Sequence, residues 1–161
     1  MTTNIRLLEA DDRAEAGLVT LMQEMQAHYK VACPPPEEIL EQLKARPDGA
    51  EILVAEDDGK VVGLCSFSAI FPGPGLKPGI FLKELYVGAP YRGRGVGRSL
   101  MRRLATLAGK RGLVRIDWTA DAGNDRLLAF YDDIGGARKT DRFYYRLEGE
   151  TLDALGRDPA S

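Results

Sequence analysis

Cysteine is scarce in this 161-residue chain: Cys33 and Cys65 are the whole complement. Two thiols cannot build a disulfide framework, and their spacing makes no metal motif. Both are expected to be reduced and structural, and no metal site is expected. Positive charge is not in excess either. Lys and Arg number 22 against 24 Asp and Glu, for a net charge of −2 and a pI of about 5.5. That balance argues against a general nucleic-acid binder. No apolar run approaches membrane-spanning length, and the opening Met-Thr-Thr-Asn-Ile-Arg lacks a signal peptide's apolar core. The expectation is a cytoplasmic protein with no membrane partner. Internal repeats, low-complexity tracts and interdomain linkers are missing as well, so residues 1–161 read as one domain. Its apolar fraction of 44% suffices for a substantial core.

What the chain does have is concentrated between Phe81 and Lys110. Phe81–Val87 is aromatic and branched, which suits a strand. Pro90 and its neighbours end it. From Val96, apolar residues recur at Leu100, Leu104, Leu107 and Ala108 with arginines between them, which predicts an amphipathic helix. The joint reads Arg92-Gly93-Arg94-Gly95-Val96-Gly97-Arg98. Glycines let backbone curl tightly and let a ligand approach its amides. The first amides of a helix lack intrahelical partners and sit at the positive end of its dipole. Together they form a cradle for phosphate oxygens, unless the turn merely connects two elements. Arg92, Arg94 and Arg98 add local charge, with their amides mattering more than their side chains. A Walker loop would need a Lys before Ser99, and a dinucleotide fingerprint would need Gly-x-Gly-x-x-Gly after an early strand.

This stretch resembles the cofactor motif of the GNAT family of N-acetyltransferases, Arg/Gln-x-x-Gly-x-Gly/Ala, with Arg92, Gly95 and Gly97 in register. Leu85-Tyr86-Val87 and Pro90-Tyr91 are similar to the family's lead-in. The resemblance covers nearly the whole chain and is nearest to diamine and thialysine-type small-amine acetyltransferases. It implies a mixed α/β fold, the acyl-CoA N-acyltransferase fold, with a central sheet of about seven strands and helices on both faces. It implies acetyl-CoA as co-substrate, held by the amides of Arg92 to Arg98. The backbone of Leu85, Tyr86 and Val87 would face the pantetheine and thioester, where the fourth and fifth strands splay. A homodimer is a candidate assembly, in which the last strand could exchange or pair between subunits.

The rest of the chain supplies the matching elements. Asn4–Leu8 predicts a first strand. A helix follows to about Tyr29, with Asp11 or Asp12 as N-cap and Leu18, Leu21, Met22 and Met25 on one side. His28, the lone histidine, is a surface or capping group or lines the acceptor cleft. Pro34-Pro35-Pro36 breaks the chain before a helix over Glu37–Ala45. Glu51–Glu56 and Val61–Phe71 flank Asp57-Asp58-Gly59-Lys60, a hairpin signal. A Pro- and Gly-rich turn leads to Phe81. Beyond the motif helix come a strand at Leu113–Thr119, a short helix over Arg126–Asp133 with Asn124 or Asp125 near its cap, and Gly135-Gly136 to stop it. A last strand is expected over Lys139–Leu147, then a brief helix around Leu152 and Leu155.

Asn124, Phe130, Tyr131 and Gly135 resemble the family's Asn-x₅-Phe-Tyr-x₃-Gly pattern. By that resemblance Tyr131 protonates the departing CoA sulfur. A phenol with a pKa of about 10 is a reasonable donor to a thiolate whose thiol lies at about 8.5. Otherwise Phe130-Tyr131 is the apolar face of a helix. Asn124 either bonds the pantetheine arm or only caps that helix. Glu84 is the candidate base, or else a pairing charge. Small-amine relatives often carry two adjacent acidic residues where this chain has Lys83-Glu84, and strand alternation predicts opposite faces for the pair. Tyr29 and Tyr86 are further cleft candidates. The function implied is acetyl transfer to a primary amine of a small molecule by direct attack, since neither cysteine sits in a nucleophile motif. A protein or peptide N-terminal acetyltransferase and a non-catalytic acyl-CoA sensor remain alternatives.

Overall fold

A computed structural model of the chain describes residues 2–157 and 159. The chain divides into two compact units, Met1–Thr119 and Ala120–Ser161. The first holds a sheet of five strands in the order β1-β2-β3-β4-β5, which corrects the expectation of about seven. The strands are β1 (Asn4–Leu7), β2 (Ala50–Asp57), β3 (Lys60–Ile70), β4 (Gly79–Val87) and β5 (Ile116–Asp117). The first four pair antiparallel in sequence order, and β5 pairs parallel to β4. At the hairpin, Asp58 and Gly59 both have positive φ, 48° and 77°. That is the turn whose twist matches the flanking strands.

Helices cover both faces of this sheet. Helix α1 (Glu15–His28) and helix α2 (Pro36–Lys44) bury Leu18, Leu21, Met25 and Leu43 against Ile52, Val54, Leu64 and Tyr86. Helix α3 (Val96–Lys110) lies on the opposite face, with Leu100 and Leu104 fully buried. Gly63 permits that approach: a Cβ there would stand 3.2 Å from both Leu100 and Val96. Neither Asp11 nor Asp12 caps α1, which starts later, after Ala14, with no side-chain cap. Asp12 instead accepts two bonds from the Arg6 guanidinium at 2.6 and 2.9 Å. It also accepts the amides of Glu9 and Ala14. Arg6 reaches on to Glu56 at 3.0 Å, so β1, β2 and the turn before α1 share one charge network. The Arg6 guanidinium beside Asp12 holds its carboxyl well below the usual range.

The second unit contains helix α4 (Asp125–Asp133) and helix α5 (Gly149–Gly156). The expected strand at Lys139–Leu147 does not form among the described residues. Its aromatics favour a strand, but a strand exists only where its row of amides and carbonyls finds a ladder partner. Phe143 and Tyr145 stand 88% exposed. The other shortfall is β5, expected over Leu113–Thr119. Its ladder is confined to Ile80–Ile116 and Phe81–Asp117, preceded by single bonds from Val114 N–H to Pro78 and from Ile80 N–H to Arg115.

Candidate active site

The short β5 sets the geometry of the site. Past Phe81 the parallel ladder stops, while β4 runs on to Val87. From Leu82 to Val87, β4 is therefore paired by β3 on one side and has no β5 ladder on the other. Leu85, Tyr86 and Val87 form the end of this half-paired strand and lead into a turn of 3₁₀ helix at Ala89–Tyr91.

The loop that follows is wound for amide presentation. Gly93 and Gly95 have φ of 74° and 82°, a left-handed conformation that side chains disfavour. A Cβ added at either would meet no protein atom within 4 Å. The glycines are thus required by backbone conformation and by open space in front of them, not by packing. Gly95 is the N-cap of α3, and no side chain caps that helix. The buried Val96 anchors its first turn, and Gly97 and Arg98 continue it. An uncapped 15-residue helix behind two left-handed glycines has the geometry and dipole that suit an anion with several oxygens.

Arg92 and Arg94 turn back onto the protein. Arg92 donates from Nε to the Val87 carbonyl at 2.9 Å and lies 5.2 Å over the Tyr86 ring. Arg94 lies 5.6 Å over Tyr91. Their visible work is to brace the loop. Sequence inspection missed a further brace, Glu24 on α1. Its carboxylate accepts the Tyr86 hydroxyl at 3.1 Å and the Ala89 amide at 2.8 Å, across 62 and 65 residues of sequence. Nothing in the local pattern around Glu24 marks it. Tyr86, buried and committed to Glu24, belongs to this brace. The His28 ring packs edge-on against Tyr86 and Tyr29, at 5.8 and 5.3 Å.

Glu84 faces the α1 side of the sheet, in register with Ser66 and Ile52. Burial pushes its carboxyl up from the usual range, with Lys83 and the Tyr29 hydroxyl pulling the other way. Tyr29 is raised by burial and by that same carboxylate. Lys83 departs from the alternation expected of it. The β3–β4 register passes from Ser66–Glu84 to Phe67–Leu82, so Lys83 is an extra residue, a bulge that re-aims its side chain. It lines a cleft of about 450 Å³ with Met22, Met25, Ile39, Ile52 and Ser66, on the face that Glu84 also occupies.

The cysteines stay out of this chemistry. Cys65 is fully buried, and burial pushes its thiol up to about 12. Cys33 is exposed. Among the described residues no cluster could hold a metal ion, and no helix is long and apolar enough to cross a membrane. In the second unit Asn124 caps α4 by accepting the Leu127 amide at 3.1 Å. Tyr131 is the buried residue of that helix, 5.3 Å from the Phe130 ring.

The strand, uncapped helix and left-handed glycine loop form a candidate anion site on a mixed α/β fold, and comparison with known proteins gives its family. The acetyltransferase (GNAT) family profile matches residues 18–135, and the chain belongs to that family. It is 28% identical over 101 residues to an L-ornithine N5-acetyltransferase of Arabidopsis thaliana, covering 63% of this chain and 44% of that one. It is 32% identical over 105 residues to the N-alpha-acetyltransferase RimI of Mycobacterium tuberculosis, covering 65% and 63%. The chain thus spans less than two thirds of the length of these curated relatives. An integron cassette protein from the mobile metagenome of V. cholerae superposes with a TM-score of 0.89 at 29% identity, over 98% of this chain and 99% of that one.

Proposed function

We propose that the protein is an acetyl-CoA-dependent N-acetyltransferase acting on a primary amine of a small molecule. The observation that carries this is the Gly93–Gly95 turn at the uncapped start of α3, one 3₁₀ turn beyond a strand whose outer ladder has ended. Enzymes of the family use acetyl-CoA, and the donor set here fits its pyrophosphate: main-chain amides, positive dipole and empty space. The family match runs from 18 to 135 and crosses the boundary between the two units, which supports reading 1–161 as a single catalytic domain.

In this mechanism acetyl-CoA supplies the acetyl group as an activated thioester. The amides of Arg92 through Arg98 bind its pyrophosphate. The backbone of Leu85, Tyr86 and Val87 orients the pantetheine arm, and Asn124 is the second-unit residue assigned to that arm. Glu84 takes the proton that the acceptor ammonium must lose. Its raised carboxyl pKa brings it closer to the working pH, where a general base is most effective. The amine nitrogen then bonds to the carbonyl carbon, the carbon–sulfur bond breaks, and Tyr131 returns a proton to the sulfur. Donors preorganised at the strand edge stabilise the charge that develops on oxygen. The reading of direct attack is supported by Cys65, the cysteine beside β4, which is buried with its thiol pushed up to about 12.

The cleft volume of about 450 Å³ falls in the range of small-molecule sites. The similarity to RimI supports a second reading, acetylation of a protein N-terminus. The test is thermal stabilisation by acetyl-CoA, followed by thiol release with a panel of small amines and N-terminal peptides. Stabilisation and turnover of small amines are expected. The absence of any shift with acetyl-CoA would refute the assignment, and turnover of peptides alone would select the second reading.

A further inference from the structure

We propose that the acceptor carries a carboxylate as well as its amine, an amino-acid-type substrate and not a polyamine, and that Lys83 is the residue that selects it. The inference rests on the N-acetyltransferase reading above and assigns a specificity-determining residue within the same site.

The bulge is the first support. Without it, Lys83 would point to the α3 face. With it, Lys83 lines the cleft between α1, α2 and the sheet, adjacent in sequence to the candidate base. Bulges re-aim side chains in this way, and they are common beside active sites.

The second support is the distribution of charge around the cleft. Arg46, Glu51 and Lys83 are its charged lining residues. Arg46 is spent on backbone, donating to the carbonyls of Leu43 at 2.8 Å and Ala50 at 3.3 Å. Glu51 is held by the Arg111 guanidinium, with one contact at 2.9 Å. Lys83 has no ion pair among the described residues, and its charge acts on Glu84. The cleft therefore presents one cation without an ion-pair partner, Lys83, next in the chain to Glu84, which lies on the same face of the sheet outside the cleft lining.

An acceptor held in the cleft sets an anion against Lys83, with its amine directed out of the cleft toward Glu84, the proposed base. Its stem would lie along Met22, Met25 and Ile39, and Ser66 and Ser68 offer hydroxyls. An α,ω-diamine would set its second ammonium against Lys83. Opposite-charge contact in place of like-charge contact changes relative acceptor use by about tenfold to a hundredfold at a partly exposed site.

The experiment measures thiol release from acetyl-CoA with paired acceptors differing only in the carboxylate: lysine against cadaverine, and ornithine against putrescine. Wild type, Lys83→Met and Lys83→Glu are compared, each first checked for thermal stabilisation by acetyl-CoA. Wild type is expected to favour the carboxylate-bearing member of each pair by at least tenfold in kcat/KM. Lys83→Met is expected to remove that preference and Lys83→Glu to reverse it, with acetyl-CoA stabilisation intact in all three. A wild-type preference for the diamines overturns the proposal. So does a selectivity ratio unchanged in Lys83→Glu, or a lack of turnover with both amino acids. If acetyl-CoA fails to stabilise wild type, the cofactor assignment itself has failed and this proposal falls with it.

Discussion

Replacing Gly95 by alanine separates a structural glycine from a ligand-binding one. Gly95 has φ of 82°, and an L residue held in the left-handed region costs about 1–2 kcal/mol. Reduced entropy of the unfolded chain returns about 0.4–1 kcal/mol. No atom lies within 4 Å of the new Cβ, so no clash is added. The net loss is about 1 kcal/mol, or about 2–4 °C in Tm for a chain of this size. Cofactor binding should suffer more. The methyl group stands in the space assigned to phosphate, and a hydrogen bond to a charged group is worth about 1.5–3 kcal/mol. Losing one such bond weakens acetyl-CoA by about tenfold to a hundredfold. Calorimetric titration and a thermal melt on the same sample read both effects. Gly109→Ala provides the control: it lies in the last turn of α3, with no positive φ and open space around its Cβ. It should raise Tm slightly and leave affinity alone. Gly95→Asp, which adds a carboxylate, should abolish binding. If Gly95→Ala lowers Tm but binds acetyl-CoA like wild type, the loop is only a connector and the reasoning is wrong.

Glu24→Ala removes the acceptor for the Tyr86 hydroxyl and the Ala89 amide. Leaving such groups unpaired costs about 1–3 kcal/mol, and KM for acetyl-CoA should rise several-fold while Glu24→Gln largely restores it. Tyr131→Phe should lower kcat with acetyl-CoA affinity nearly intact, and wild-type turnover in that variant would remove Tyr131 from the mechanism. Asp12 has a depressed folded-state pKa, so its contribution is present above the unfolded value of about 3.9. Stability should fall as pH drops below that value, and Asp12→Asn should flatten the acid limb of a Tm-versus-pH series. Native protein treated with iodoacetamide should be alkylated at the exposed Cys33 and not at Cys65; both should react once the chain is unfolded.

Sequence patterns disclosed the elements whose causes are local. Helix α3 was readable over Val96–Lys110 because Leu100, Leu104 and Leu107 recur at helical spacing, and Asp-Gly marked the hairpin at Asp58-Gly59. The cap of α4 was narrowed to Asn124 or Asp125, and it is Asn124. What escaped were properties of two segments at once. The bulge at Lys83 belongs to the register between β3 and β4, which no single strand contains. Asp12 was drawn from capping by Arg6 on β1. Glu24 meets its partners only after α1 has docked. The aromatics of 139–147 signalled a strand, but propensity cannot supply the neighbour that a strand needs. The glycine loop was legible because its residue types are forced by backbone conformation.

The two-residue β4–β5 ladder sets stability and catalysis against each other. Extending it through Trp118 and Thr119 would add main-chain bonds and make the sheet more robust. The same zipper would cover the edge of β4 beyond Phe81, to which the proposed function assigns the pantetheine arm. Under the proposed function, substitutions that strengthen this seam should therefore raise the melting temperature while lowering acetyl-CoA binding, and selection for heat resistance alone would favour the weaker binder.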